Sequence, residues 1–328
     1  MDKIIILIFL LVLCLLCYIN FNKINEAFFD NKKFILIDLR KASKVIYDIN
    51  SFGLYNNLDK KLRGIKKNEN ITSHYINKLD DWTMSETKMM LWLCKGLEDK
   101  IPSEYEFLIK NIQIAKFKKG VEMDFPHTNG DCIFLSEKFI HMITPYFNEN
   151  DLDRCIKNIG SIIIHETIHI WQRRDPEFFK KLYSRWNFKY YSKIVNSSKF
   201  KEINRYNPDG IELNWCFTDK DTNKEYILLS PYKDDAQNIA NVNYIGIEVE
   251  KLGTYPIIPP IPDINNLSEI KGFISFFGDI GNNNYHPNEL SAEIISEHII
   301  NVIYLGDNKK EKYPAEIVYQ SLFKSEYK

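Results

Sequence analysis

The chain has 328 residues, 45% of them hydrophobic and 27% charged, a balance ordinary for a folded protein and enough for one large domain or two modest ones. Its 43 basic and 44 acidic side chains nearly cancel, so no basic excess points to nucleic acid as a partner.

At the N-terminus, Ile4 to Ile19 form an almost unbroken apolar run, preceded by Lys3 and left through Asn20-Phe21-Asn22-Lys23. Its length lies at the lower edge of what spans a bilayer. A signal peptide would begin in the same way, but Leu15-Leu16-Cys17-Tyr18-Ile19 offers no small-x-small cleavage site. Residues 1–22 are therefore expected to be a single-pass transmembrane anchor, with the body of the protein localised at a membrane. Lys3 stands alone before the run, and Lys23, Lys32 and Lys33 follow it; positive-inside counting leans toward a cytoplasmic body and leaves sidedness open.

Residues 23–118 read as a mainly helical region, a spacer or subdomain without a chemical motif. Apolar residues recur at helical spacing over Phe34 to Asn50 and Thr83 to Leu97, and Pro102 opens a further segment toward Phe117. The basic cluster Lys60, Lys61, Arg63, Lys66 and Lys67 reads as a solvated face. Cys94, Cys132, Cys155 and Cys216 are widely spaced and offer no cysteine zinc site.

The character of the chain changes near Gly120, and residues 119–328 are expected to form a second, α+β unit. Phe125-Pro126-His127-Thr128-Asn129-Gly130 is rich in turn formers and leads into Cys132-Ile133-Phe134-Leu135, a short strand placed at a sheet edge. His127 reads as a turn residue. Asn150-Asp151 caps a helix from Leu152 to Arg174, and Pro176 starts the next one, running through Trp186 toward Tyr191. Ile211 to Phe217, Glu225 to Leu229 and Tyr244 to Val249 are strand-like; Pro256 to Pro262 resists regular structure. Helices return at Asn288 to Tyr304 and at Pro314 to Tyr327.

The helix ending at Arg174 carries His165-Glu166-Thr167-Ile168-His169, an H-E-x-x-H signature. Residues four apart share a helical face, so both imidazoles can reach one ion, and Glu166 projects beside them within reach of a water. A catalytic zinc usually takes three protein ligands. A metzincin would place its third histidine where this chain has Asp175. The better candidate lies downstream in His286-Pro287-Asn288-Glu289-Leu290-Ser291-Ala292-Glu293. Glu289 and Glu293, four apart on one helical face, would repel in water and make more sense near a cation.

A helix beginning E-x-x-A-E downstream of an H-E-x-x-H helix resembles the gluzincin branch of zinc metallopeptidases, which includes thermolysin-like peptidases and the anthrax lethal factor catalytic domain. The resemblance covers these two helices and the strand near Ile133. It implies a zincin-like fold with His165, His169 and Glu289 as ligands to Zn2+, Glu166 as catalytic base, and Glu293 as a carboxylate that orients one ligand histidine. Lethal factor-like enzymes also have a tyrosine shortly upstream of the ligand glutamate that steadies the oxyanion. Tyr285 is its counterpart at a different spacing, and His286 competes for the role. Manganese or cobalt would suit the same donors. The gap from His169 to Glu289 is longer than in compact gluzincins. The expected activity is hydrolysis of a peptide or protein substrate bound along the strand near Ile133. The alternative is a catalytically silent, zinc-stabilised binding or structural module.

Overall fold

The computed structural model describes residues 33–48, 55–209, 214–278, 285–305 and 313–327. Two sheets flank a helical layer. The first is built from β1 (Phe34–Leu36), β2 (Leu79–Asp80), β3 (Ile112–Phe117), β4 (His127–Asn129) and β5 (Cys132–Ser136). Its order is β1-β3-β5-β4, with β2 also paired to β3; β1, β3 and β5 run parallel and β4 returns antiparallel. The second sheet is antiparallel and contains β6 (Phe188–Tyr190), β7 (Trp215–Asp219), β8 (Lys224–Leu229), β9 (Ile245–Leu252), β10 (Tyr255–Ile257) and β11 (Ile264–Asn266).

The main helices, in chain order, are α1 (Leu39–Asp48), α2 (Met84–Lys100), α3 (Ser161–Arg174), α4 (Pro176–Arg185), α5 (Lys271–Phe277), α6 (Pro287–Leu305) and α7 (Pro314–Tyr327). Thr83 starts α2 with a capping box, accepting from Glu86 N at 3.2 Å while Glu86 Oε2 accepts from Thr83 N at 2.8 Å. Asp151 caps the turn Leu152–Cys155, which continues through a π-helical segment, Ile156–Gly160, into α3. The α3 helix ends where Asp175 precedes Pro176, because the proline ring disfavours helical backbone in the residue before it. The α3 helix is buried almost all round. Ile163, Ile164, Ile168 and Ile170 sit fully in the core, each worth about 1.5–3 kcal/mol relative to exposure. It packs on α6 and on β4 and β5, which sets the relative placement of the two motif helices.

Several expectations are corrected. Among the described residues no helix is long and apolar enough to cross a membrane. The single-pass anchor and membrane localisation assigned to residues 1–22 are withdrawn on that finding; the apolar run itself lies outside the described residues. The described residues up to 118 are mainly helical but also supply three strands, β1, β2 and β3, to the first sheet. Phe34 opens β1, and the segment after Pro102 makes a 3-10 helix (Ser103–Ile109) and then β3, the central strand of the first sheet. That sheet crosses the boundary drawn at 118/119. The strand at Cys132 is interior, and β4 is the edge. His127 therefore lies in a strand, clustered with the rings of Phe117 and Phe134, with Gly130 at φ +56° supplying the left-handed residue of the β4–β5 turn.

Beyond α4 the chain does not stay helical to Tyr191. Asn187 turns it at φ +65° into β6. The strand expected from Ile211 begins at Trp215, and residues 210–213 lie outside the described set. Arg63 is not solvated: its buried side chain holds Asp59 at 2.7 Å and Glu122 at 2.9 Å. Cys94, Cys132, Cys155 and Cys216 are free and buried.

Candidate metal centre

His165 and His169 leave α3 on one face and meet Glu289 from the first turn of α6. His165 Nε2 and His169 Nε2 are 3.2 Å apart; Glu289 Oε2 is 3.6 Å from the first and Oε1 is 3.7 Å from the second. Donors at about 2.0–2.2 Å from a tetrahedral zinc stand roughly 3.3–3.6 Å from one another, so the three groups already mark the corners of such a site.

The proton inventory agrees. His165 Nδ1 lies 3.4 Å from Glu293 Oε2, and His169 Nδ1 lies 3.0 Å from Gln172 Oε1. Both Nδ1 atoms thus face acceptors and carry the ring hydrogen in the neutral form, which leaves both Nε2 atoms as acceptors. Two lone pairs and a carboxylate converge on one buried point, an arrangement that needs a cation or a proton between them. Burial lowers the His165 pKa, but hydrogen bonds to Glu289 and Glu293 outweigh it and hold the imidazole well above its ordinary value. Burial raises Glu289, yet His169, His165 and Arg205 outweigh it and depress its pKa to about 2. Asn207 Nδ2 also donates to Glu289 Oε1.

Glu166 stands beside this triad, 4% exposed, and its Oε2 has no hydrogen-bond partner among the described residues. Burial, followed by the nearby Asp209 carboxylate, pushes its pKa well above the carboxylate range, against the pull of His165. A buried carboxylate with an unused oxygen and raised basicity is suited to taking a proton.

The site opens on a cleft of about 720 Å³ whose lining includes His165, Glu166, Glu289, Arg205, Asp209 and Tyr244. The loop Arg205 to Asp209 forms one wall. Asp209 Oδ1 accepts from both Thr128 N and Thr128 Oγ1, and Arg173 Nη2 donates to the same Thr128 Oγ1 at 2.7 Å. The backbone donor of edge strand β4 at Thr128 is thus already taken, and β5, the strand near Ile133, is interior and offers no free edge.

Tyr285 and His286 do not line the cleft. The Tyr285 side chain is fully buried behind Tyr244, with ring centroids 5.7 Å apart, and its phenol, pushed up by burial, sits beside Arg205 and Ser230. His286 Nδ1 accepts from Asn288 N at 3.3 Å at the start of α6. Glu297 is exposed at the cleft rim, whereas His298 turns toward Glu316 at 3.3 Å. Sequence reasoning missed Gln172, Arg205, Asn207, Asp209 and Tyr244. Only Gln172 carried a local signal, standing three residues beyond His169. Two further groups of this kind occur among the described residues: Glu166, His169 and Asp209, which overlaps the candidate centre, and Glu86, Glu137 and His141, where Lys116 holds Glu86 at 2.9 Å.

Comparison of the chain with family models, with curated proteins and with solved structures finds no match.

Proposed function

We propose that the protein is a zinc-dependent peptidase whose ligands are His165, His169 and Glu289. One observation carries the reading: the donor atoms of His165, His169 and Glu289 converge within 3.2 to 3.7 Å of one another, beside a buried carboxylate with a free oxygen. A zinc ion held by these three residues would supply Lewis acidity, acidifying a water and polarising a carbonyl. Glu166 takes the proton from the attacking water and later delivers it to the leaving amine. Tyr244 and Arg205 replace Tyr285 and His286 as the groups placed to stabilise a developing oxyanion, because they line the cleft near Glu289.

Glu166 also separates this reading from a silent zinc-stabilised module. A structural site gains nothing from a buried carboxylate with one oxygen left without a hydrogen-bond donor, and its burial alone is unfavourable. The test is Glu166→Gln assayed on a broad peptide library. The variant is expected to bind zinc with near wild-type stoichiometry and to lose hydrolysis by at least 10²-fold, the usual share of a general base at about 10²–10⁴-fold. A wild-type protein that binds zinc and cleaves nothing would support the silent module; one that binds no zinc removes both readings.

A further inference from the structure

We infer that Gln172 is the positioning residue of the centre: its one amide fixes the ring orientation and tautomer of His169 and, at the same time, ties the first turn of α6 that presents Glu289. The inference rests on the metal-site reading above.

Gln172 is buried one turn after His169 on α3. Its amide nitrogen has two hydrogens, and both are used. One goes to Asn288 O at 2.7 Å and the other to Ser291 Oγ at 2.9 Å. Ser291 donates its own hydrogen to Asn288 O at 3.0 Å, so toward Gln172 it acts as an acceptor, and Tyr183 OH lies 3.2 Å away on its other side. Flipping the amide would set its oxygen against the Asn288 carbonyl. The oxygen must therefore face His169 Nδ1, at 3.0 Å, and Nδ1 must carry the hydrogen. That leaves His169 Nε2 as a lone pair aimed at His165 and Glu289.

The two roles are joined geometrically. Asn288 directly precedes Glu289, so the same amide that orients one ligand pins the backbone beside another. His165 has only the 44%-exposed Glu293 carboxylate behind it. Of the two histidines, His169 is the one whose Nδ1 faces a buried, uncharged group.

The experiment uses the full chain with ¹⁵N-labelled histidine, and compares wild type, Gln172→Met and Gln172→Glu. Two quantities are read: the His169 tautomer in zinc-free protein by NMR, and Zn2+ affinity by chelator competition. Wild type is expected to show a single Nδ1–H tautomer. The Met variant, similar in length but without donors or acceptor, should show mixed tautomers and bind Zn2+ about 10–100-fold more weakly, the usual effect of losing a group behind a metal ligand. The Glu variant, which keeps an acceptor for Nδ1–H, should restore the single tautomer and part of the affinity. An unchanged tautomer or an unchanged Zn2+ affinity in the Met variant overturns the inference, as does a Glu variant that fails to regain the single tautomer. If wild type binds no Zn2+, the peptidase reading fails, while the tautomer comparison still decides the role of Gln172. Circular dichroism of each variant separates misfolding from either result.

Discussion

Tyr244 and Tyr285 stand one behind the other, and only Tyr244 reaches the cleft. Tyr244→Phe should therefore lower kcat by about 10²–10³-fold, the usual loss when one oxyanion donor is removed. Tyr285→Phe should leave kcat unchanged and change stability by less than about 1 kcal/mol, because the buried hydroxyl it removes has no hydrogen-bond partner among the described residues. Steady-state kinetics with thermal unfolding of both variants checks the pair, and the opposite pattern would return the role to Tyr285. The contrast shows what was legible residue by residue. His165, Glu166 and His169 occupy little more than one helical turn, and Glu289 opens another, so helical geometry alone predicts which faces they share. Tyr244, Arg205 and Asp209 reach the cleft from outside those two helices, where spacing carries no information about contact. Gln172 lay within the readable turn, but an amide three residues past a histidine looks like any other polar side chain until its partners on α6 are seen.

Glu86 links two elements. It closes the capping box of α2 and holds Lys116 of β3 at 2.9 Å, with both side chains 2% exposed and Asp80 on the other side of the lysine at 3.0 Å. Burial raises Glu86, but hydrogen bonds to Thr83 and the Lys116 charge outweigh it and hold its pKa below the ordinary 4.5; Asp80 is lowered likewise. A carboxylate depressed by folding stabilises the fold above its unfolded pKa and loses that contribution as pH falls through the folded value. Stability measured by urea titration should accordingly be flat near neutrality and fall below pH 4.5, and Lys116→Met should flatten that fall. The same variant should cost about 3–5 kcal/mol at neutral pH, because it strands a buried carboxylate. A loss under 1 kcal/mol would show the pair to be dispensable. This strand is also where element prediction failed. Lys116 interrupts the apolar pattern of β3 as a charge normally exposed would, and the adjoining 3-10 helix supplies apolar residues at near-helical spacing. The buried ion pair that makes Lys116 a core residue is not visible in sequence.

For the whole molecule, the consequence is that residues before 119 are part of the fold that carries the candidate metal centre. β3 pairs with β5 along Gln113 to Phe117, and β5 in turn holds β4, which packs on α3. Arg63 adds a clip from the same region: its guanidinium binds Asp59, Glu122 and the Tyr206 carbonyl, fastening the cleft loop that continues through Asn207 to Glu289. A 119–328 fragment would lack β3 and this arginine. It would expose the long side of β5, whose five residues are all buried in the intact chain, as an apolar unpaired edge of the kind that aggregates. It would also leave Glu122 buried without its partner. The fragment is therefore expected to show no cooperative thermal transition and no stoichiometric Zn2+ binding, whereas the 33–328 chain should melt cooperatively and gain about 4 kcal/mol at a free Zn2+ concentration near 1,000 times Kd. Calorimetry of the two with and without Zn2+ decides the matter. A fragment that melts cooperatively and binds the metal as tightly as the longer chain would restore the boundary at residue 119 and reduce β1 to β3 to an accessory layer.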